Sequence, residues 1–205
     1  LHPETSALQY LLYRYLEEAG DTASLNALSR AISLETNEGR KRLWIEELLQ
    51  LSDSDATITA ATQHLQALLT GPNVTLAQLL DFAALMQRYR LWELSIETLT
   101  KALALKPSLD KEIEIVKQLA LARVETGDRE MADQDLDRLL GKLGAVDTKR
   151  RVVLKLRLSL LKDESSRESF LARLRGEYLA NPSSEQAIID YAEVLTALDR
   201  KDDSA

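Results

Sequence analysis

The chain has 205 residues, 45% of them hydrophobic, with a formal net charge of −7, 7 glycines, 4 prolines and no cysteine. That length can bury a sizeable core, and that composition is too apolar for disorder. The missing cysteines exclude disulfides, thiolate zinc sites and a cysteine nucleophile, and the acidic balance disfavours general nucleic-acid binding, which needs phosphates neutralised.

No stretch approaches the roughly 18 consecutive apolar residues of a membrane span. No secretory signal is visible and the first residue is Leu1 in place of a methionine. The chain is therefore expected to be a fragment of a longer protein, with any targeting segment outside it.

Apolar residues recur at intervals of three and four along the whole sequence, cut by short polar breaks. The pattern predicts an all-α fold of about eleven helices, over 3–18, 22–34, 38–51, 55–70, 75–89, 92–105, 109–126, 129–142, 147–162, 165–180 and 184–198. The breaks carry turn chemistry: AGDT at 19–22, LSDSD at 51–55, TGPN at 70–73, KPSLD at 106–110, TGDR at 126–129 and ANPSS at 180–184. All are short and none has the composition of a flexible linker. Helices of equal length joined by such turns predict antiparallel pairs in a single domain, 1–205.

The stretch ITAATQHLQALLTGP ends at Pro72 and SIETLTKALALKP ends at Pro107, 35 residues later, with Ala67 and Leu68 standing where Ala102 and Leu103 stand. That spacing is close to the tetratricopeptide period of about 34 residues. Residues 76–109 resemble one such repeat through Leu79, Ala83, Met86, Ser95, Leu99, Ala102 and Pro107, and 41–75 resemble another through Trp44, Leu48, Leu51, Ala60, Ala67 and Pro72. Gly127, Asp128, Ala132 and Leu136 fall as in the family's inter-helix turn and second helix, and Gly20, Asp21 and Ala31 match more loosely. The chain thus resembles the tetratricopeptide repeat family, in a divergent bacterial form. Leu48 and Ala83 replace the glycine of the family's first helix, and the unit at 147–183 departs most.

The resemblance implies a right-handed α-solenoid of antiparallel helical hairpins, in approximate units 3–37, 38–74, 75–109, 110–146, 147–183 and a partial 184–205. It also implies that Ala67 and Ala102 sit where helices cross closely and that the first helices line a concave groove. The alternative is a non-repetitive helical bundle.

Residues that could carry chemistry are few. His2 and His64 lack the spacing of a metal pair, and a lone helical histidine is ordinarily a surface or packing residue. No Gly-rich phosphate loop, G-x-S-x-G or H-E-x-x-H occurs, and DQDLD at 133–137 lacks the glycine and distal glutamate of a calcium loop, so it reads as a solvated helix face. No enzyme activity, metal or cofactor is expected.

Charge is distributed unevenly. Residues 148–175 hold nine Lys and Arg against three acids, directly after 125–137 with six acids and one arginine. Either the two segments complement one another, or the basic one recognises an acidic partner.

Carried over by register, the groove positions implied by the resemblance are Arg42 and Ile45, then Leu80, Ala84, Gln87 and Arg88, then Lys117 and Leu121, then Lys155, Ser159 and Lys162. The polar ones among them are the candidate partner-binding residues. The function implied is a non-enzymatic protein–protein interaction scaffold, similar to the periplasmic scaffolds of bacterial exopolysaccharide export. Its partner would be a protein with an acidic surface or a polysaccharide-modifying enzyme. The alternatives are a cytoplasmic adaptor or co-chaperone, an RNA-binding helical repeat, and a regulatory domain of an enzyme.

Overall fold

The computed structural model describes residues 5–51, 55–71 and 74–198. Over these residues the protein is all α-helical. The eleven helices are α1 (Ser6–Glu18), α2 (Ser24–Leu34), α3 (Glu38–Gln50), α4 (Asp55–Leu69), α5 (Leu76–Arg88), α6 (Trp92–Ala104), α7 (Leu109–Glu125), α8 (Arg129–Leu140), α9 (Thr148–Leu160), α10 (Glu164–Ala180) and α11 (Glu185–Ala197). Each begins and ends within three residues of its predicted span. His2 and Pro72, the proline expected to end α4, lie outside the described residues.

Local chemistry accounts for where the helices start and stop. Thr5, Asn37, Asp128, Asp163 and Ser184 each accept a hydrogen bond from a first-turn backbone N–H, satisfying a donor that the helix itself leaves without a partner. At α5 the arrangement is reciprocal, with the Gln78 side chain returning to the backbone of Thr75. α1 and α7 end alike. Gly20 (φ 68°) and Gly127 (φ 86°) turn left-handed, and the N–H groups of Asp21 and Asp128 reach back to the carbonyls of Leu16 and Arg123 at 2.9 and 2.8 Å. The two Gly-Asp breaks are thus one turn used twice.

The chain divides into two compact units, Leu1–Arg90 with α1 to α5 and Leu91–Ala205 with α6 to α11. The division falls in the α5–α6 turn, inside the stretch 75–109 that the sequence groups as one repeat.

In the first unit α1 packs on α2, α2 on α3 and α4, and α3 on α4. The odd-numbered helices are also joined sideways. Tyr10 stacks on Trp44 with ring centroids 4.6 Å apart, and the buried Tyr13 donates to Glu47 at 2.9 Å, tying α1 to α3. Gln78 donates to Glu38 at 2.7 Å and Arg42 pairs with Asp81 at 3.0 Å, tying α3 to α5. Burial of Leu28, Ile32, Ile45, Leu48, Leu65 and Met86 closes the core.

In the second unit α6 packs on α7, α7 on α8, α8 on α9 and α10 on α11, while α9 also contacts α7 and α11. One core runs through it, with Val116 and Ala120 from α7, Leu136 and Leu139 from α8, Val153 and Leu154 from α9, Phe170 and Leu174 from α10, and Val194 and Leu195 from α11. Fully burying one such large side chain is worth about 1.5–3 kcal/mol. Lateral contact of α7, α9 and α11 makes them one layer, and that layer carries the candidate site.

Burial corrects part of the repeat register. Leu79, Ala83, Met86, Ser95, Leu99 and Ala102 are all buried, as their places in the repeat imply. Ala67 is exposed. α4 buries Thr57, Ala61, Leu65 and Leu69 at intervals of four, and a residue six past Ala61 points about 240° away round the helix. Leu65, which matches Ala102 when Thr57 and Ala61 are aligned with Leu94 and Thr98, is fully buried instead. Ile45, expected in the groove, is fully buried and belongs to the core.

Ala102 is sealed while Ala104 is exposed. Ala102→Leu should therefore destabilise the protein by about 1–3 kcal/mol through overpacking, and Ala104→Leu should change stability by less than about 0.5 kcal/mol. Urea unfolding of both variants checks this, and equal losses would mean the α6 register is wrong.

Candidate functional site

α9 has the sequence TKRRVVLKLRLSL, so apolar and basic residues alternate around it and cations face several directions at once. Two of them point inward. Arg150 holds both carboxylate oxygens of Asp190, from Nε at 2.7 Å and Nη2 at 2.5 Å, and donates from Nη1 to the carbonyls of Leu140 and Leu143. Arg157, two turns further on, pairs with Asp133 at 3.1 Å and with Asp137, and its guanidinium lies 4.8 Å from the centre of the Phe170 ring. Arg173 reaches the same Asp137 at 3.3 Å.

The basic segment 148–175 is therefore largely engaged. Lys149 pairs with Asp110, Arg151 with Glu193, Lys162 with Glu125 and Arg167 with Glu164. Glu125, Asp133 and Asp137 come from the acidic segment 125–137, and the other partners lie on α7, α11 and the start of α10. Complementation of the two segments thus explains part of the pattern, and lateral links to other helices explain more of it. Lys155 and Arg175 are exposed and make no ion pair among the described residues.

The acidic stretch 133–137 also differs from the expected solvated face. Asp135 is buried and sits 2.9 Å from the buried Arg123. Burial pushes its carboxyl above the usual carboxylate range, with the nearby arginines pulling the other way. For Asp137 burial also raises the pKa, but hydrogen bonds from Arg157 and Arg173 outweigh it and hold the group below its ordinary value.

Two troughs open on the α7–α9–α11 layer. The first, about 430 Å³, runs between α7 and α9, with Leu121, Val124, Leu156 and Leu160 as its apolar lining and Lys117, Lys162 and Glu125 as its charged lining. The second, about 500 Å³, lies between α9 and the end of α11, with Lys155, Leu158, Arg167 and Ala197 around it. Ser159 lines both. Helical spacing explains the convergence: Lys117 and Leu121 are one turn apart, and so are Lys155 and Ser159, so each pair shares a helix face. Lys117 is exposed and unpaired among the described residues, and Leu121 is 40% exposed, so neither is consumed by packing.

Four candidate residues, Lys117, Lys155, Ser159 and Lys162, thus come together on one layer of the second unit. Ser159 spends its hydroxyl proton on the carbonyl of Leu156 at 2.7 Å. Lys162 pairs with Glu125 at 3.3 Å yet keeps most of its side chain in solvent. Arg42, Gln87 and Arg88 belong to the first unit, where Arg42 and Arg88 are bound to Asp81 and Glu46 and join α3 to α5. Gln87 is half-buried on α5.

His64 is half-buried on α4, with its Nε2 2.9 Å from the Ser29 hydroxyl. Burial, then the charge of Lys41, lowers its pKa. No three or more His, Asp and Glu side chains gather as a metal site among the described residues, and no helix there is long and apolar enough to cross a membrane.

The sequence matches no model of a known protein family and no curated protein.

Asp137→Asn should cost about 1 kcal/mol at neutral pH, the roughly 1.5–3 kcal/mol of a charge-assisted hydrogen bond discounted for a half-exposed carboxylate. Asp137 titrates below its unfolded value, so its contribution is present above the ordinary carboxylate pKa of about 3.9 and fades as pH falls through the lowered one. The stability gap between wild type and variant, measured by urea unfolding, should therefore close as the solution is acidified below about pH 4. A gap that persists or widens in acid would show that the carboxylate charge is not what Arg157 and Arg173 need.

Proposed function

We propose that the protein is a tetratricopeptide-like scaffold that binds a partner protein on the α7–α9–α11 layer, through an acidic segment carrying apolar side chains. The observation that carries this reading is the pairing of the two apolar-lined troughs with Lys117 and Lys155, exposed cations without an ion pair among the described residues, at equivalent places on successive odd-numbered helices. A lysine spends none of its charge on the fold when it has no internal carboxylate, so all of it is available to a ligand of opposite sign. The troughs supply the apolar burial that exposed charges alone cannot. The role is binding and involves no reaction. In the setting implied by the family resemblance, the partner is an enzyme or pore component of an exopolysaccharide export system in the periplasm.

The test is capture of partner protein on immobilised wild type, on Lys117→Glu/Lys155→Glu, and on a control, Lys106→Glu/Arg175→Glu, with the same charge change away from the troughs. Wild type should lose bound partner as salt rises, because exposed charges are screened beyond about 8 Å at physiological ionic strength. The trough variant should bind at least about tenfold more weakly, a loss of some 1.4 kcal/mol, while the control binds as wild type does. Retention by the trough variant, or equal loss in the control, would move the site to another face.

A further inference from the structure

The second unit holds another opening, away from the troughs. It lies among α8, α10 and the end of α9 and has a volume of about 400 Å³. Its walls carry three guanidiniums, Arg129, Arg157 and Arg173, against one carboxylate, Asp133. Asp163 and Asp137, which pair with Arg129 and Arg173, do not line the cleft. The lining itself is therefore positive.

The cationic side chains differ in how tightly they are held. Arg157 is buried and saturated by Asp133 and Asp137, so it forms part of the floor together with Phe170. Arg129 sits 3.7 Å from Asp163, and Arg173 sits 3.3 Å from Asp137 and 3.8 Å from Glu177, all with half-exposed side chains. Exposed pairs at such distances are worth under about 1 kcal/mol, and an incoming anion can compete for these two guanidiniums.

The hydroxyls are aligned with them. Ser165, Ser169 and Arg173 follow one another at intervals of four along α10 and share one face of the helix. The hydroxyls of Ser165 and Ser169 have no partner among the described residues. This row spans about 12 Å at 1.5 Å per residue. Arg129 stands at its Ser165 end, since its partner Asp163 also caps α10, and Arg173 rises from the other end with its guanidinium folded back over the Phe170 ring, 5.3 Å from the centroid. The helix end itself is taken: the Asp163 carboxylate accepts from both the backbone N–H and the hydroxyl of Ser166.

We propose that this cleft binds a small molecule bearing two linked oxyanion groups, of the diphosphate type, with Arg129 and Arg173 each holding one group and Ser165 and Ser169 donating between them. Guanidinium forks suit tetrahedral and planar oxyanions alike. Two guanidiniums rising from opposite ends of the row, with hydroxyls between them, favour two linked groups over one. This site shares no lining residue with the two troughs and needs no partner protein.

Isothermal titration of the whole chain at low salt, with inorganic pyrophosphate and inorganic phosphate as probes, tests the proposal. Pyrophosphate should bind at least about tenfold more tightly than phosphate, and Arg129→Gln and Arg173→Gln should each weaken pyrophosphate about tenfold, the loss expected for one charge-assisted contact. Ser169→Asp places a negative charge in the cleft at an exposed position without removing any arginine, and should abolish binding. Lys117→Glu/Lys155→Glu should bind as wild type does. Circular dichroism of each variant monitors the fold, and Ser169→Asp keeps the test decisive if an arginine variant unfolds. Absence of pyrophosphate binding at millimolar concentration, equal affinity for phosphate, or undiminished binding by Ser169→Asp would each overturn the proposal.

Discussion

The second unit depends on how α9 is held, and α9 is held by arginines. A buried guanidinium costs several kcal/mol unless its charge and its donors are all met. Arg150 meets that requirement with Asp190 on α11 and the carbonyls of Leu140, at the end of α8, and Leu143, just past it, and Arg157 meets it with two aspartates of α8 and the Phe170 ring. A slide of α9 by one turn, about 5.4 Å, would strip both at once. Apolar contacts among leucines tolerate such a slide far better, because one leucine replaces another. The ionic set therefore fixes the register in which Lys155, Ser159 and Lys162 face the troughs, and the placement of the candidate site follows from two residues that do not line the α7–α9 trough.

Much of this was legible in the sequence, for reasons that differ by level. Helix spans follow from apolar periodicity and from short breaks such as the Gly-Asp turns, which act within a few residues. The register implied by the family resemblance agrees with burial at Ala102 and fails at Ala67, because proline marks a helix end without fixing which face is buried. That is why Ala102 is sealed and Ala67 is not. Complementation of the acidic and basic segments was legible as one of two alternatives, but the individual ion-pair partners were not. Arg150 and Asp190 are 40 residues apart, and nothing in the local pattern of α9 separates Arg150 from Arg151, which faces solvent. A local excess of positive charge looks like a binding surface until the distant carboxylates are placed.

The same accounting separates the two candidate sites. On the α7–α9–α11 layer the informative charges are those left over, Lys117 and Lys155, while Arg42 and Arg88 of the first unit are spent on joining α3 to α5. In the α8–α10 cleft no arginine is left over. What matters there is that the balancing carboxylates Asp137 and Asp163 stand outside the lining. Counting charges along the sequence registers neither difference, since both depend on which side of a helix the carboxylate approaches from.

Spacing then determines what kind of ligand each surface suits. Lys117 and Lys155 lie on neighbouring helices, each beside an apolar trough, with Ser159 common to both troughs. Each exposed cation contributes under about 1 kcal/mol to a pair in water, so two of them set orientation and encounter rate more than affinity. Affinity has to come from apolar side chains entering beside Leu121, Leu156 and Leu158, which requires a ligand long enough to span two helices. A polypeptide segment has that reach, and a small molecule does not. The α8–α10 cleft presents a different set of groups: Ser165, Ser169 and Arg173 lie along about 12 Å of α10, Arg129 of α8 stands at one end, and Phe170 and Arg157 form the floor. The row of hydroxyls and guanidiniums is short, so selectivity there rests on charge and donor geometry, and a compact oxyanion suits it better than a chain.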